Sequence, residues 1–213
     1  VGSEMCIRDS NGMIRASEFF LYSKKDRDAV YKCMERGYKF PKVTSWIRAS
    51  KEDFKLVKEI GMKETGILVS CSDYHIFLKL KMNRRQAMEH YLSVVRDCLE
   101  EGISVRCHLE DITRADIYGY VVPFCLELMK LMKEYQIPIK IRACDTMGYG
   151  VPYPGVALPR SVPGIVYGLH HYSDVTSEML EWHGHNDFYK GVVNGVAAWL
   201  YGASAVNLSL IHI

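Results

Sequence analysis

The string EWHGHNDFYKG, residues 181–191, places His183, His185, Asn186 and Asp187 between an apolar run and a helical pattern. Two histidines one residue apart on an extended strand turn their imidazoles to the same face. That suits two cis ligands on one divalent metal such as zinc, iron, manganese or cobalt. The same string also reads as two hydrogen-bonded core histidines followed by an Asx helix cap from Asn186 or Asp187, and residue types alone do not separate these readings. A second cluster, RCHLEDITRAD (106–116), alternates Arg106, His108 and Glu110 onto one strand face, with Asp111, Arg114 and Asp116 beyond it. An inward carboxylate such as Glu110 needs a partner or a task, whereas the three loop residues also fit a salt-bridged turn. ACDTMGYG (143–150) sets Asp145 and Thr146 before a glycine turn, suited to a substrate carboxylate or to nothing more than the turn. SCSDYHIF (70–77) adds Asp73 and His75.

All four clusters follow short apolar runs that alternate with helical periodicity. Helices are expected over 24–37, 51–61, 84–102, 118–135 with Pro123 in the first turn, about 161–171, and 187–201. Between them KFPKVTSWI, TGILVS, ISVRCHLE, IPIKIRACDT, MLEWHGH and ASAVN read as strands. Strand and helix in strict alternation imply parallel strands joined by right-handed crossovers. With no G-x-G-x-x-G after any strand, the expected fold is α/β, an incomplete (β/α)8 TIM barrel over residues 11–207 with about six of eight strands present. In such a barrel the catalytic groups sit at the C-terminal ends of the strands, where these clusters fall. Arg106, Lys140, Arg142 and Glu181 would then share the interior, and buried charges persist only when paired. An ion-pair layer joining Glu181 to Arg106, Arg142 or both is expected beneath the site.

Composition narrows the classes. The 213 residues are 48% apolar and 24% charged with a net charge of +2, ordinary values for a globular chain. Lys and Arg are dispersed, which excludes a nucleic-acid platform, and no apolar run approaches a membrane span or signal peptide. Cysteines 6, 33, 71, 98, 107, 125 and 144 form no C-x-x-C pair, so neither a disulfide framework nor a structural zinc site is expected and the cytoplasm fits. VGSEMCIRDS (1–10) and LSLIHI (208–213) match neither the pattern nor the chemistry of their neighbours and are expected to be non-native ends on a piece of a longer protein.

SDYHIFLKL, CHLEDITRAD, CDTMGYGVP and HGHNDFYKGVVNGVAAWLYGASAVN, in that order, resemble the metal-dependent 2-isopropylmalate synthase, homocitrate synthase and hydroxymethylglutaryl-CoA lyase superfamily of pyruvate carboxyltransferase-like barrels, over residues 12–207. The resemblance implies a divalent metal (Zn, Mn, Mg, Fe or Co, not distinguished) on His183 and His185, supported by Asn186 and Asp187. It implies Glu110, helped by His75, in proton transfer, and Thr146, Arg114, His108 and Asn194 in substrate binding. The implied substrates are an acyl-CoA, foremost acetyl-CoA, and a 2-oxo acid, joined in a Claisen-type condensation by a homodimeric cytoplasmic enzyme. Lyase-type C–C cleavage on the same metal, a barrel metallohydrolase drawing on His108, and a non-catalytic barrel are the alternatives. Two departures stand out: no TLRDGEQ-like string is present, Arg15 in GMIRASEFF lacking an acidic partner at the right place, and the glycine-rich segment due after Asn207 is replaced by LSLIHI. Little or no activity is therefore expected from the 213-residue chain by itself.

Overall fold

Helix boundaries follow the chemistry at the helix ends. The structure is a computed structural model and describes residues 14–207; the expected foreign ends lie outside them. Ser23 opens α1 (Lys24–Glu35) by exchanging bonds with Asp26, and Asn83 opens α3 (Arg84–Glu100) through the same reciprocal box with Gln86. Between them α2 (Lys51–Ile60) starts on Ser50 and stops at Gly61, whose φ of 76° a side chain would resist. Pro123 lies in the first turn of α4 (Val122–Tyr135), and Ser161 caps α5 (Val162–Tyr172). The last helix, α6 (Gly191–Leu200), begins four residues later than the periodicity suggested. Asn186 Oδ1 accepts the amide of Gly191 at 2.9 Å and keeps residues 186–190 in a turn. The polar loop after TGILVS contains a π-helical turn, Tyr74–Lys79.

Seven strands are described rather than the expected six: β1 (Ala16–Phe19), β2 (Lys42–Arg48), β3 (Glu64–Ser70), β4 (Ser104–Glu110), β5 (Ile139–Asp145), β6 (Leu180–Gly184) and β7 (Ala205–Asn207). The additional strand is β1. Its four residues, ASEF, are all partly exposed and carry no apolar run by which a strand would be recognised. The strands lie in sequence order, every neighbouring pair parallel. Alternation along the central strands sends Cys107, Leu109, Ile141, Ala143 and Trp182, all fully buried, toward the helices.

The other face curls inward, and a single contact measures the curl. Glu18 on β1 meets Arg142 on β5 at 2.5 Å, although the sheet order sets those strands four steps apart. At ~4.8 Å per step a flat sheet would hold them roughly 19 Å apart. The sheet is thus a curled half-barrel of parallel strands.

Its interior is charged. Arg106, 1% exposed, meets Glu18 at 2.7 Å, Glu181 at 3.0 Å, and Glu64. Arg142 meets Glu181 at 2.7 Å besides Glu18, while Lys140 stands 3.9 Å from Glu64 and 4.0 Å from Glu181. The expected layer therefore exists, with its charges balanced: Glu18, Glu64 and Glu181 against Arg106, Lys140 and Arg142. Removing one partner strands the others in a poorly solvated interior. Glu181→Ala is expected to lower the unfolding free energy by roughly 3–5 kcal/mol, measured by urea denaturation; a loss below about 1 kcal/mol would mean that Glu18 and Glu64 satisfy both guanidiniums without it.

Candidate active site

Strand register builds the site from below. Ser70, Glu110, Cys144, His183 and Asn207 are successive partners across β3, β4, β5, β6 and β7. Partners in a parallel sheet face the same side, so these residues form one row on the inner face at the C-terminal ends of the strands. Glu110 and His183 are two strands apart, a backbone spacing of roughly 10 Å. The row beneath comprises Leu68, His108, Arg142 and Glu181, part of the ionic floor.

At one end of the row His183 and His185 stand with ring centroids 5.0 Å apart and planes near perpendicular. His185 lies one residue beyond β6. His183 donates from Nδ1 to the carbonyl of Asn207 at 3.0 Å, which leaves Nε2 with its lone pair open, and burial pushes its pKa below the usual histidine value. A metal-ligating imidazole needs both features. Asp187 stays 3.9 Å from His185 Nδ1, and Asn186 is engaged by the Gly191 amide. The pair fits the imidazole part of a divalent-metal site. Among the described residues no group of three or more His, Cys, Asp or Glu side chains converges to complete one.

At the other end, Glu110 accepts from the Ser70 hydroxyl, lies 3.3 Å from Lys79 Nζ and 3.1 Å from His75 Nδ1. The other nitrogen of His75 is 3.8 Å from Asp111, so the imidazole sits between two carboxylates. Asp111 is fully buried with φ 66°, a backbone that brings its amide 2.8 Å from Thr146 Oγ1. Its carboxylate accepts from Ser72 at 2.5 Å and from Arg114 Nη2 at 2.7 Å. Arg114 in turn lies over the ring of Tyr74, 4.6 Å from its centroid. Glu110, His75, Arg114 and Thr146 are thereby brought together.

Two predicted substrate contacts occupy other places. His108 is 5% exposed, within β4 rather than at its end. Trp46 Nε1–H donates to its Nδ1 at 3.2 Å, which puts the imidazole proton on Nε2, 3.5 Å from Glu18. Gly66 makes room for the ring, since a Cβ there would come within 2.6 Å of Nε2. So held, His108 belongs to the floor and is not free to serve as a further metal ligand of a hydrolase. Asn194 is fully buried and donates to the Gly150 carbonyl at 3.0 Å, tying α6 to the loop after β5. Asp145 shapes that same loop, accepting from Thr113 at 2.8 Å and from the amides of Tyr149 and Gly150 at 2.9 Å.

Sequence reasoning missed Glu18, Trp46, Ser70 and Lys79. Glu18 and Trp46 lie in strands too short or too mixed to show an inner face, whereas Ser70 and Lys79 flank SDYHIF and could have been found by their closeness to His75.

Residues 17–213 match the HMGL-like family. The chain belongs to that family. It is 64% identical over 205 residues to a citrate (Re)-synthase of Clostridium kluyveri, covering 96% of this chain and 45% of that protein. It is 39% identical over 199 residues to a 2-phosphinomethylmalate synthase of Streptomyces hygroscopicus, covering 91% and 45%. The chain thus spans less than half the length of these relatives. Among solved structures, an HMG-CoA lyase of Bacillus subtilis superposes with a TM-score of 0.65 at 15% identity, over 98% of this chain and 70% of that one, which supports the barrel. No helix among the described residues is long and apolar enough to cross a membrane.

Burial, with the neighbouring guanidiniums of Arg142 and Arg106 acting in the same direction, lowers the pKa of His108 from 6.5 to about 4 against the pull of Glu18. The unfolded chain then binds the proton first as pH falls, so stability conferred by the neutral ring is complete above about pH 6.5 and is lost on going down to about 4, a span worth roughly 3 kcal/mol. Against the effect of burial, the His108 hydrogen bond together with Arg142 and Arg106 holds Glu18 below the usual carboxylate range, and the same two arginines do so for Glu181, which extends the loss to lower pH. His108→Gln is expected to reduce the pH slope of stability between 6.5 and 4, read from urea midpoints across that range; an unchanged slope would show that His108 is protonated in the fold.

Proposed function

We propose that the protein to which this chain belongs condenses acetyl-CoA with a 2-oxo acid, and that the 2-oxo acid is oxaloacetate, giving citrate. The carrying observation is the row at the strand ends, in which Glu110 and His183 face the same interior two strands apart. The 64% identity to a citrate (Re)-synthase supports the choice of acid.

In this reading His183 and His185 hold a divalent metal ion. Bound there, such an ion supplies Lewis acidity toward the ketone of the 2-oxo acid. Glu110 takes the proton from the acetyl methyl group, its carboxylate fixed by Ser70 and Lys79 and in touch with His75. The carbanion so formed attacks the ketone carbon, and water then cleaves the thioester and releases the free thiol of CoA. Thr146 and Arg114, at the ends of β5 and β4, contact the acid's carboxylate. The ionic floor lies buried beneath the site with its cations engaged by Glu18, Glu64 and Glu181, so recognition of carboxylates falls to these mouth residues, with Arg114 held in place by Asp111.

The test uses the protein at the full length of its relatives. Acetyl-CoA and oxaloacetate are expected to yield citrate and free thiol, with other 2-oxo acids far slower. Glu110→Gln is expected to lower kcat by about 100-fold or more with little change in KM. His183→Ala is expected to remove bound metal, measured by elemental analysis, together with activity. Full thiol release by Glu110→Gln would remove Glu110 from the chemistry, and undiminished metal in His183→Ala would remove the imidazole pair.

A further inference from the structure

Arg84 is an arginine clamp outside the site, and the proposed chemistry does not use it. Its Nε and Nη2 grip both oxygens of Asp73 at 2.8 Å, and its Nη1 reaches Asp116 at 2.9 Å. It is the first residue of α3, where a cation opposes the helix dipole. The helix does not need it as a cap, because Asn83 and Gln86 already satisfy the first amides. A residue that works against its own helix and binds two loops at once is explained by what it joins.

Asp73 begins the segment that carries His75 and Lys79, the two side chains that approach Glu110 from β3's side. Asp116 lies in the segment that follows Glu110 on β4's side, where its other oxygen accepts the Gly119 amide at 2.8 Å and opens the turn Ile117–Val121. Arg84 thus fixes the loop after β3 against the loop after β4 from outside the site. Nearer the site, the bond from Ser72 to Asp111 and the stacking of Arg114 on Tyr74 cross the same seam. A single surface ion pair stabilises a protein by little. A planar fork with both of its edges occupied instead sets a direction, which lysine cannot reproduce.

We infer that Arg84 is a positioning residue for the proton-transfer pair: by locking Asp73 to Asp116 it holds His75 at contact distance from Glu110. This rests on the reading of Glu110 and His75 as the acid–base groups for its meaning in catalysis, but the geometric claim stands by itself.

The experiment is a double-mutant cycle read in the ring chemical shifts of the His75 imidazole by NMR, at one fixed pH and on the protein at the full length of its relatives. Glu110→Gln removes a carboxylate 3.1 Å from Nδ1 and is expected to displace those ring shifts. In an Arg84→Lys background the same change is expected to displace them by less than half as much, because the two groups are no longer held together. Asp116→Asn, which keeps the cap on Gly119 and weakens only the arginine contact, is expected to act in the same direction and not to add to Arg84→Lys. An equal response to Glu110→Gln with and without Arg84 overturns the inference, and so does failure of Asp116→Asn to reproduce the effect should Arg84→Lys misfold. Kinetics of the full-length protein separate the two levels. Arg84→Lys is expected to lower kcat about 10-fold or more with KM little changed. A wild-type kcat in Glu110→Gln would refute the acid–base reading while leaving the NMR cycle intact as a measure of the clamp.

Discussion

The buried contacts of Glu18 and Glu181 with Arg106 and Arg142 decide the shape on which everything else depends. A sheet of parallel strands covered by helices on one face has no intrinsic reason to leave charges on the other. Here the floor layer of the inner face carries three acids and three bases, which pair with each other across the curl. Placing them in a flat sheet would separate Glu18 from Arg142 by several strands, leaving each short of a partner in a region from which water is largely excluded. Desolvation argues that such a layer contributes less to stability than an apolar one would. What it supplies is selectivity: only the curled, in-register arrangement neutralises every charge, so slips of register by one residue are strongly disfavoured.

That register is what the site inherits. Each strand end is placed by the pairing below it, so Ser70, Glu110, Cys144, His183 and Asn207 arrive at one level, where Ser70 can bond Glu110 and His183 can bond Asn207. The floor then acts as an electrostatic base plate. Its charges balance, and His108 is held neutral between Trp46 and Glu18, so no net charge beneath competes with charge at the mouth. A negatively charged substrate and a cation at the imidazole pair would meet an environment governed by the loops alone. This division of labour, a rigid charge-neutral barrel beneath and functional loops above, is how parallel barrels separate stability from chemistry.

The strands and helices with clear periodicity were legible in the sequence, and so was the expectation that Glu181 pairs with Arg106 and Arg142. Alternation within ISVRCHLE, IPIKIRACDT and MLEWHGH fixes which side chains share a face, and buried charges on one face must find each other. β1 was not legible, because ASEF has neither length nor hydrophobic contrast, and its only strong signal, Glu18, reveals itself through partners 88 and 124 residues away. His108 and Asn194 mark the limit of legibility for a related reason. A polar residue near a strand end or on a helix beside the mouth looks the same in sequence whether it turns toward substrate or toward a backbone carbonyl. Only the three-dimensional neighbours, Trp46 for one and Gly150 for the other, separate those cases.

The two imidazoles show how far local sequence and distant structure must cooperate. The spacing of His183 and His185 places them side by side, but spacing leaves the rotation of each ring undetermined. For His183 that rotation is set by the carbonyl of Asn207 in β7, a strand of three partly exposed residues with little hydrophobic anchorage of its own. β7 is held in turn by its pairing with Glu181, Trp182 and His183, and Glu181 is fixed by the two arginines of the floor. The orientation of a candidate metal ligand at the top of the barrel therefore depends on an ion pair at its centre. Loosening the floor should disorder β7 before it disorders the better-packed β4 and β5, and the first chemical consequence would be a His183 ring free to turn its lone pair away from the site.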